Sequence, residues 1–472
     1  MEKNNFLDKR ITLFALIWPI LIESFLRMLF GTVDTFMLSG YSDKAVAGVG
    51  AANQYVSILI LIFQIVSGGS GIVISQYLGA KNNKKASDVA VVSIMFNLVF
   101  GLLISLILFI FAGKILGLMN FSSDVYQFSK EFLTILGSFS FIQAVSITVS
   151  AILRSHGHVK YPMMVNMGAN ALNIIGNFIF IYGMFGMPVL GVKGVAISTV
   201  TSQFVGLIAI FIILKKKVGI SFSVIKVLKM PKDLITDSLK SIFKIGGPSA
   251  GESISYNISQ VVITAIIAKY MGEDPLTARF YVFNLMFYIM LFGLATGHAT
   301  QIMIGHLIGA GRTDDAYKTC MRSLKIAVLV SIAVALVFAI FGKVLLGLFT
   351  DNENIIKLGG ILFIITIVLE PGRSFNIVLG YSLKGSGDAK FTLYLGLVSM
   401  WSIAVGMTYL LGVTLHLGLI GVWAAFAMDE WVRGIVMLKR WRSRAWEKMS
   451  LVKKEDMVEV NTNNEELLQS VN

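Results

Sequence analysis

Three ionisable residues, Glu23, Arg27 and Asp34, sit inside one apolar run, residues 11–39. Each costs about 2.5–3.5 kcal/mol at the centre of a membrane helix, so a run that keeps three has a use for them. Glu23 and Arg27 are four apart, the spacing of an ion pair on one helical face. Glu23 and Asp34 are eleven apart, which is about 20° off a common face at 100° per residue. Arg27 is placed to neutralise Glu23, which leaves that pair open to a structural or a functional reading. Asp34 has no basic residue one turn away and reads as a ligand. A second stripe lies in residues 161–185, where Asn166, Asn170, Asn173 and Asn177 are spaced 4, 3 and 4. Amide oxygens with a carboxylate suit a hard cation or a proton with its water network. Hydrogen bonding between helices is the alternative.

Further acids lie in the second half. Residues 240–269 are polar along Ser249, Glu252, Ser253, Ser255, Tyr256, Asn257, Ser259 and Gln260, so this helix must line protein or water. Glu370-Pro-Gly-Arg373 and Asp429-Glu430-x-x-Arg433 place acids one turn from an arginine, a pattern that favours structural ion pairs in the latter. Pro19 and Pro248 each remove a helical hydrogen bond and make bends there an expectation. Enzyme signals are weak. Gly380 to Ser386 has Gly-x4-Gly spacing but lacks the Lys-Ser/Thr of a phosphate loop, and the five histidines form no metal-binding pair at i, i+4. The single cysteine, Cys320, excludes an internal disulfide. The chain is read as a non-enzyme without a cofactor, handling H⁺ or Na⁺ at most. A membrane-embedded enzyme or a channel is the alternative of another class.

The elements that must hold these residues follow from composition. Of 472 residues 56% are hydrophobic and only 14% charged, and the mean hydropathy is +0.77. A soluble surface needs more charge, so this is an integral membrane protein whose partner is the lipid bilayer. At about 20 residues per span, twelve helices fit, near 11–39, 48–79, 87–113, 126–153, 161–185, 191–214, 240–269, 278–308, 320–349, 354–383, 391–413 and 418–438. The first run begins like a signal peptide but has no small-residue cleavage site, and is read as a retained helix. The net charge of +13 is a positive-inside bias: 30 Lys and Arg fall on the side that holds both termini and 7 on the other. Both termini are therefore expected in the cytoplasm of a multi-pass cell-membrane protein, and no nucleic acid is implied. The expected division is a first lobe at 1–214, a cytoplasmic linker at 215–239, a second lobe at 240–440 and a polar, disordered tail at 441–472.

The chain repeats itself. Pro19-Ile-Leu-Ile-Glu23 returns as Pro248-Ser-Ala-Gly-Glu252, offset 229. Gln76-x-x-Gly79-Ala80 returns as His306-x-x-Gly309-Ala310, and Leu153-Arg154-x-x-Gly157-x-x-Lys160 as Leu383-Lys384-x-x-Gly387-x-x-Lys390, both offset 230. Gly191-x-x-Gly194 returns as Gly418-x-x-Gly421. Two parallel six-helix bundles and alternating access at a cavity between them are the reading. The amide stripe is private to the first half, since its aligned residues are Gly396, Met400, Ile403 and Met407. Arg27 aligns with Tyr256, so Glu252 reads as an acid without a partner and as a residue that binds or gates a cationic substrate.

At these residues the sequence resembles the multidrug and toxic compound extrusion (MATE) family. The resemblance rests on Trp18-Pro19 with Val33-Asp34-Thr35, on Ala47-Gly-Val-Gly-Ala-Ala-Asn53-Gln54 and on Gln76-x-x-Gly79-Ala80 with Arg154-x-x-Gly157. Asn173-Ile-Ile-Gly-Asn177, Gly194-Val-Ala-Ile-Ser-Thr199 and Lys384-Gly-Ser-Gly-Asp388 continue it. It implies two six-helix lobes in a V, expelling small cationic amphiphiles in exchange for Na⁺ or H⁺, as a monomer. It further implies a first-lobe cation site on Asp34, Asn173, Asn177 and Thr199. In the family's sodium-coupled branch a second-lobe site uses an acid at the positions held here by Tyr256 and Arg373, with Glu252 and Glu370 nearby. That departure puts a second sodium site in doubt and leaves Glu23, Arg27, Glu252, Tyr256, Glu370 and Arg373 as substrate or gating residues. A lipid-linked oligosaccharide flippase of the same wider superfamily is the runner-up; the intramembrane acids argue against it, and Arg27 and Arg373 argue mildly for it.

Overall fold

The computed structural model describes residues 12–452 apart from 118, 120 and 221–229. Among the described residues every regular element is helical. In order these are α1 Leu13–Ser39, α2 Asp43–Gly79, α3 Asn83–Gly117, α4 Ser123–Ser138, α5 Ser140–Ser155, α6 Lys160–Tyr182 and α7 Val192–Val218. There follow α8 Lys232–Tyr270, α9 Glu273–Gly309, α10 Thr313–Gly347, α11 Glu353–Ser386, α12 Ala389–Ser399 and α13 Gly418–Arg442. Among the described residues nine rods are long and apolar enough to cross a membrane, α12 and the turns after it forming one of them, and the pair α4–α5 makes a tenth. The remaining two, α8 and α13, carry the polar and charged residues singled out above. The twelve expected spans each correspond to one rod.

Four local features depart from the expectation. The fourth span bends by 52° between α4 and α5, at Gly137-Ser138-Phe139-Ser140, a Gly/Ser pair of the kind that breaks helices. Phe139 leaves helical geometry (φ −112, ψ 17). Beyond Ser399 the eleventh span winds as π-helix over Met400–Val405 and Thr408–Thr414, and these turns hold Ile403 and Met407, the counterparts of Asn173 and Asn177. The helices on either side of the linker run further than expected, α7 to Val218 and α8 from Lys232; residues 221–229 lie outside the described ones. Lastly, the chain after α13 is folded as far as residue 452. A 3₁₀ turn at Ala445–Met449 buries Trp446 against Trp441, rings 4.1 Å apart and 8° from parallel. Trp446 supplies the apolar area that a polar tail was expected to lack. The remainder, 453–472, lies outside the described residues.

By internal contacts the chain forms two compact units. One comprises Met1–Leu21, Ser75–Asn82 and Gly247–Asn472; the other comprises Ile22–Ile74 and Asn83–Gly246. These bounds differ from a division at the linker, because the ends of α1, α2 and α8 pack with the opposite half of the sequence. In the first unit α11 packs against α9, α10 and α13, around a core of Ile263, Met286, Phe363, Leu369 and Trp423. In the second α3 packs on α4 and α5, and α7 on α4, α5 and α6.

One close helix crossing falls on a pair of repeated glycines. A side chain at Gly79 would run into the carbonyl of His306, and one at Gly309 into the carbonyl of Gln76. Each helix thus offers its glycine to the polar residue of the other. Small residues at such a crossing let backbones approach. Gln76 then reaches past the crossing: its Nε2 donates to the Gly385 carbonyl at 2.9 Å, and its Oε1 accepts from the Leu451 N–H at 2.8 Å.

Candidate functional site

In the second unit Asp34 of α1 meets the amide stripe of α6. Asn177 Nδ2 donates to Asp34 Oδ1 at 2.8 Å. With the Asn173 amide in the orientation that satisfies both its ends, its nitrogen donates to the same Oδ1 at 3.1 Å, and its oxygen accepts from Thr199 N at 3.2 Å and Thr199 Oγ1 at 3.0 Å. The contact between α6 and α7 is close because Gly176 leaves room for Ser198, whose hydroxyl donates to the Asn173 carbonyl at 2.8 Å. Asn173 and Asn177 are buried (6% and 0% exposed), whereas Asp34 and Thr199 are half-buried. The four residues named for the first-half site therefore stand together. Chemically this is one carboxylate among neutral oxygens and amides, a set that suits a proton or a hard monovalent cation. Among the described residues no group of three His, Cys, Asp or Glu side chains gathers to hold a metal.

The other end of the stripe serves a different acid. Glu23, 5% exposed, accepts from Arg154 Nη2 (2.6 Å to Oε1, 2.8 Å to Oε2), from Arg27 Nη2 at 3.1 Å and from Asn166 Nδ2 at 2.7 Å. Two guanidiniums and an amide thus surround the Glu23 carboxylate. Arg27 keeps most of its side chain exposed. Arg154 was expected at a cytoplasmic loop; it is the last turn of α5 that brings it onto Glu23.

Glu252 repeats this arrangement, and the expectation that it lacks a cation is corrected. Lys384 Nζ lies 2.8 Å from Glu252 Oε2. Lys384 aligns with Arg154 and Glu252 with Glu23, so the repeat carries the pair across. Gly396, which aligns with Asn166, sits against the Glu252 side chain; the amide is replaced by packing.

Glu370 and Arg373 belong to a buried network on α11, α12 and α13. Arg373 donates to Glu370 Oε1 at 2.6 Å and to Glu430 Oε1 at 3.1 Å. Arg433 holds Asp429 at 2.5 Å and Glu430 at 3.5 Å, and Asn376 and Ser399 donate to Glu430 and Asp429 at 2.7 and 2.5 Å. Tyr256 lines a small cavity with Arg373, Asp429, Glu430 and Arg433, roomy enough for about one water. Arg433 and Arg279 are both buried within helices. The equivalent place in the first half is uncharged: Gln203 donates to Gln143 at 3.2 Å, and these two align with Glu430 and Arg373 across the repeat. Asp429, Glu430 and Arg433 were read as ion pairs one turn apart, and these pairs form. What the sequence did not reveal is that they share a network with Glu370 and Arg373.

With this geometry in place, comparison with known proteins decides the family. The MatE family model matches twice, over residues 19–179 and again over 248–410, one copy in each half of the repeat. The chain belongs to the MATE family. A relative from Bacillus subtilis (strain 168), called an uncharacterized transporter YisQ, is 46% identical over 439 residues, 93% of this chain and 95% of its own length. A probable multidrug resistance protein NorM of Thermotoga maritima is 26% identical over 98% of both chains. Among solved structures, a MATE protein in its bent conformation superposes with a TM-score of 0.83 at 22% identity, covering 93% of this chain and 96% of that one. A MOP superfamily transporter from Pyrococcus furiosus superposes with a TM-score of 0.80 at 21% identity, covering 92% and 95%. At these identities the structures establish the MATE fold. The chain is thus a multi-pass membrane transporter of the MATE family with an all-helical fold of two pseudo-symmetric halves, and not an enzyme.

Proposed function

We propose that the protein is a secondary active efflux antiporter, exporting small cationic amphiphiles from the cytoplasm in exchange for H⁺ or Na⁺ across the cell membrane, with Asp34 carrying the coupling ion. The observation that carries this reading is the contrast between acids. Glu23, Glu252, Glu370, Asp429 and Glu430 each have a basic side chain within ion-pairing distance. Asp34 has amides. A half-buried carboxylate held by neutral donors is stable as a neutral acid or as an anion with a small cation beside it, and exchange between those states needs only different affinities in two conformations. Asn173 and Asn177 hydrogen-bond either state. A first-half coupling site is supported by the second-half acids each having an arginine or lysine within ion-pairing distance.

The names of the NorM relatives support multidrug export. The flippase reading loses support from Arg373, which is bound to two carboxylates and is not available to a pyrophosphate. The test is efflux of an ethidium-like cation from proteoliposomes under an imposed H⁺ or Na⁺ gradient. Asp34→Asn is expected to abolish gradient-driven efflux with substrate affinity retained. Full gradient-driven transport in that variant moves coupling away from Asp34.

A further inference from the structure

Three helices pass from one compact unit to the other along their length. The changes fall between Leu21 and Ile22 in α1, Ile74 and Ser75 in α2, and Gly246 and Gly247 in α8. Pro19 and Pro248 stand within two residues of the first and the third, and a proline leaves a helix one hydrogen bond short. α2 has no proline and runs unbroken from Asp43 to Gly79.

The two sides of the change in α2 are held separately. On one side the Ser155 hydroxyl of α5 lies 2.8 Å from the Gly71 carbonyl, and Gly69 lies against the Ile242 carbonyl. On the other, Ser75 lies against Gly305, and Gln76 is bonded to Gly385 and Leu451. The helical bond from the Ser75 N–H to the Gly71 carbonyl is the first along α2 to span the change.

Ser155 is equipped to replace that bond. Its single hydroxyl hydrogen has two acceptors in reach, the Gly71 carbonyl at 2.8 Å and the Ala151 carbonyl of its own helix at 2.9 Å. Turned to Ala151, it leaves Gly71 to Ser75. Turned to Gly71, it satisfies a carbonyl that an opened turn would strand away from water. The repeat supplies the comparison, since Ser155 aligns with Gly385 and Gly71 with Gln301. These two also meet, a side chain at 385 coming within 2.9 Å of the Gln301 carbonyl, but glycine has no hydroxyl to offer. Gln301 lies on α9, which stays within one unit. The donor is present beside the helix that changes unit and missing beside its counterpart that does not.

We propose that Gly71–Ser75 is a hinge in α2 and that Ser155 is its positioning residue, taking over the Gly71 carbonyl when the turn opens. The use of the hinge in transport rests on the antiport reading above; the opening of the turn does not, and it is measured without a gradient.

The experiment is amide hydrogen exchange of the purified full-length protein, compared at Ser75 and at its counterpart Gly305, both buried, after correction for intrinsic rates. Ser75 is expected to exchange at least about tenfold faster than Gly305. Ser155→Ala should slow exchange at Ser75 toward the Gly305 rate, because the open turn loses its substitute donor. A hydroxyl that only holds α5 to α2 predicts the reverse, faster exchange once it is removed. Gly71→Ala places a methyl at ordinary contact distance from Ser155, 3.4 Å, so it stiffens the turn without crowding it. It should slow both exchange at Ser75 and gradient-driven efflux about fivefold, with melting no lower than wild type. Gly68→Ala, in open space one turn earlier and inside one unit, should leave both rates unchanged. Equal exchange at Ser75 and Gly305 in the wild type overturns the proposal, and so does faster exchange in Ser155→Ala or an equal slowing by Gly68→Ala. Wild-type protein that exchanges as expected but moves no substrate under a gradient contradicts the antiport reading and leaves the hinge standing. Should Ser155→Ala fail to fold, the wild-type comparison and Gly71→Ala decide the matter.

Discussion

Lys384 Nζ lies 2.8 Å from Glu252 Oε2, and the two residues occupy the repeat positions of Arg154 and Glu23, themselves paired at 2.6 Å. An ion pair has been carried through the duplication with its geometry intact and one partner changed from arginine to lysine. Both partners of the second pair are mostly buried, so removing either leaves the other uncompensated. Glu252→Gln and Lys384→Met should each destabilise the protein by about 1–3 kcal/mol, and the double variant should be more stable than the sum predicts. A double-mutant cycle on unfolding midpoints measures this. Loss of substrate affinity in Glu252→Gln at unchanged stability would return Glu252 to substrate binding.

Arg373 and Glu430 sit where Gln143 and Gln203 sit in the first half, which suggests a substitution that the molecule has itself made. Arg373→Gln alone strands Glu370, leaves Glu430 with Arg433 as its remaining cation, and should cost about 3–5 kcal/mol. Arg373→Gln with Glu430→Gln imports the neutral pair and should recover part of that, Glu370 staying uncompensated. Expression level and melting of the detergent-solubilised variants give the comparison; a double variant worse than the single one contradicts it.

Asn166 and Asn177 lie on one stripe but touch different acids. Asn177→Ala removes a donor from Asp34 and should shift the ion dependence of efflux by about tenfold, the scale of one charge-assisted hydrogen bond. Asn166→Ala removes a donor from Glu23 and should lower stability with ion dependence unchanged. Titrating transport against Na⁺ and against pH in both variants separates the roles.

Gly79 and Gly309 permit the crossing of α2 and α9 because neither has a side chain where the partner carbonyl lies. Alanine at either position must push the helices apart, and overpacking of this kind costs about 1–3 kcal/mol or more. The control is Gly117→Ala, at the end of α3 with open space around it, which should be silent in the same melting assay.

His156, in the turn between α5 and α6, is pushed down to about 4 by burial, while its Nδ1 pairs with the Ile152 carbonyl at 2.8 Å. In the unfolded chain the imidazole takes up a proton near pH 6.5, and in the folded protein only near 4. Its contribution is therefore complete above the unfolded value and is lost as pH falls through the window between the two, on the order of 2 kcal/mol. Melting between pH 7.5 and 5 should fall more steeply in wild type than in His156→Asn. Parallel curves would show that the imidazole titrates freely.

The sequence by itself determined the membrane class, the twelve helical spans and the internal repeat, because apolar runs of the right length have one physical outcome in a bilayer and a duplication preserves spacing. It also placed Asp34 and the asparagine stripe, each of which lies on one helix, where a period of 3.6 residues fixes which side chains share a face. It did not reveal Arg154 on Glu23, Lys384 on Glu252 or Arg373 on Glu430, since these join helices far apart in the chain, and no local spacing encodes which faces meet. The repeat held a hint, an arginine and a lysine aligned at 154 and 384. Reading it required knowing that the ends of the fourth and tenth spans turn inward onto the first and seventh. The burial of Arg279 was hidden for the same reason: a basic residue six positions into a helix looks like a flank until the neighbouring helices close over it. Local periodicity sets what each helix offers; packing between helices decides which charges are neutralised and which are left to bind something else.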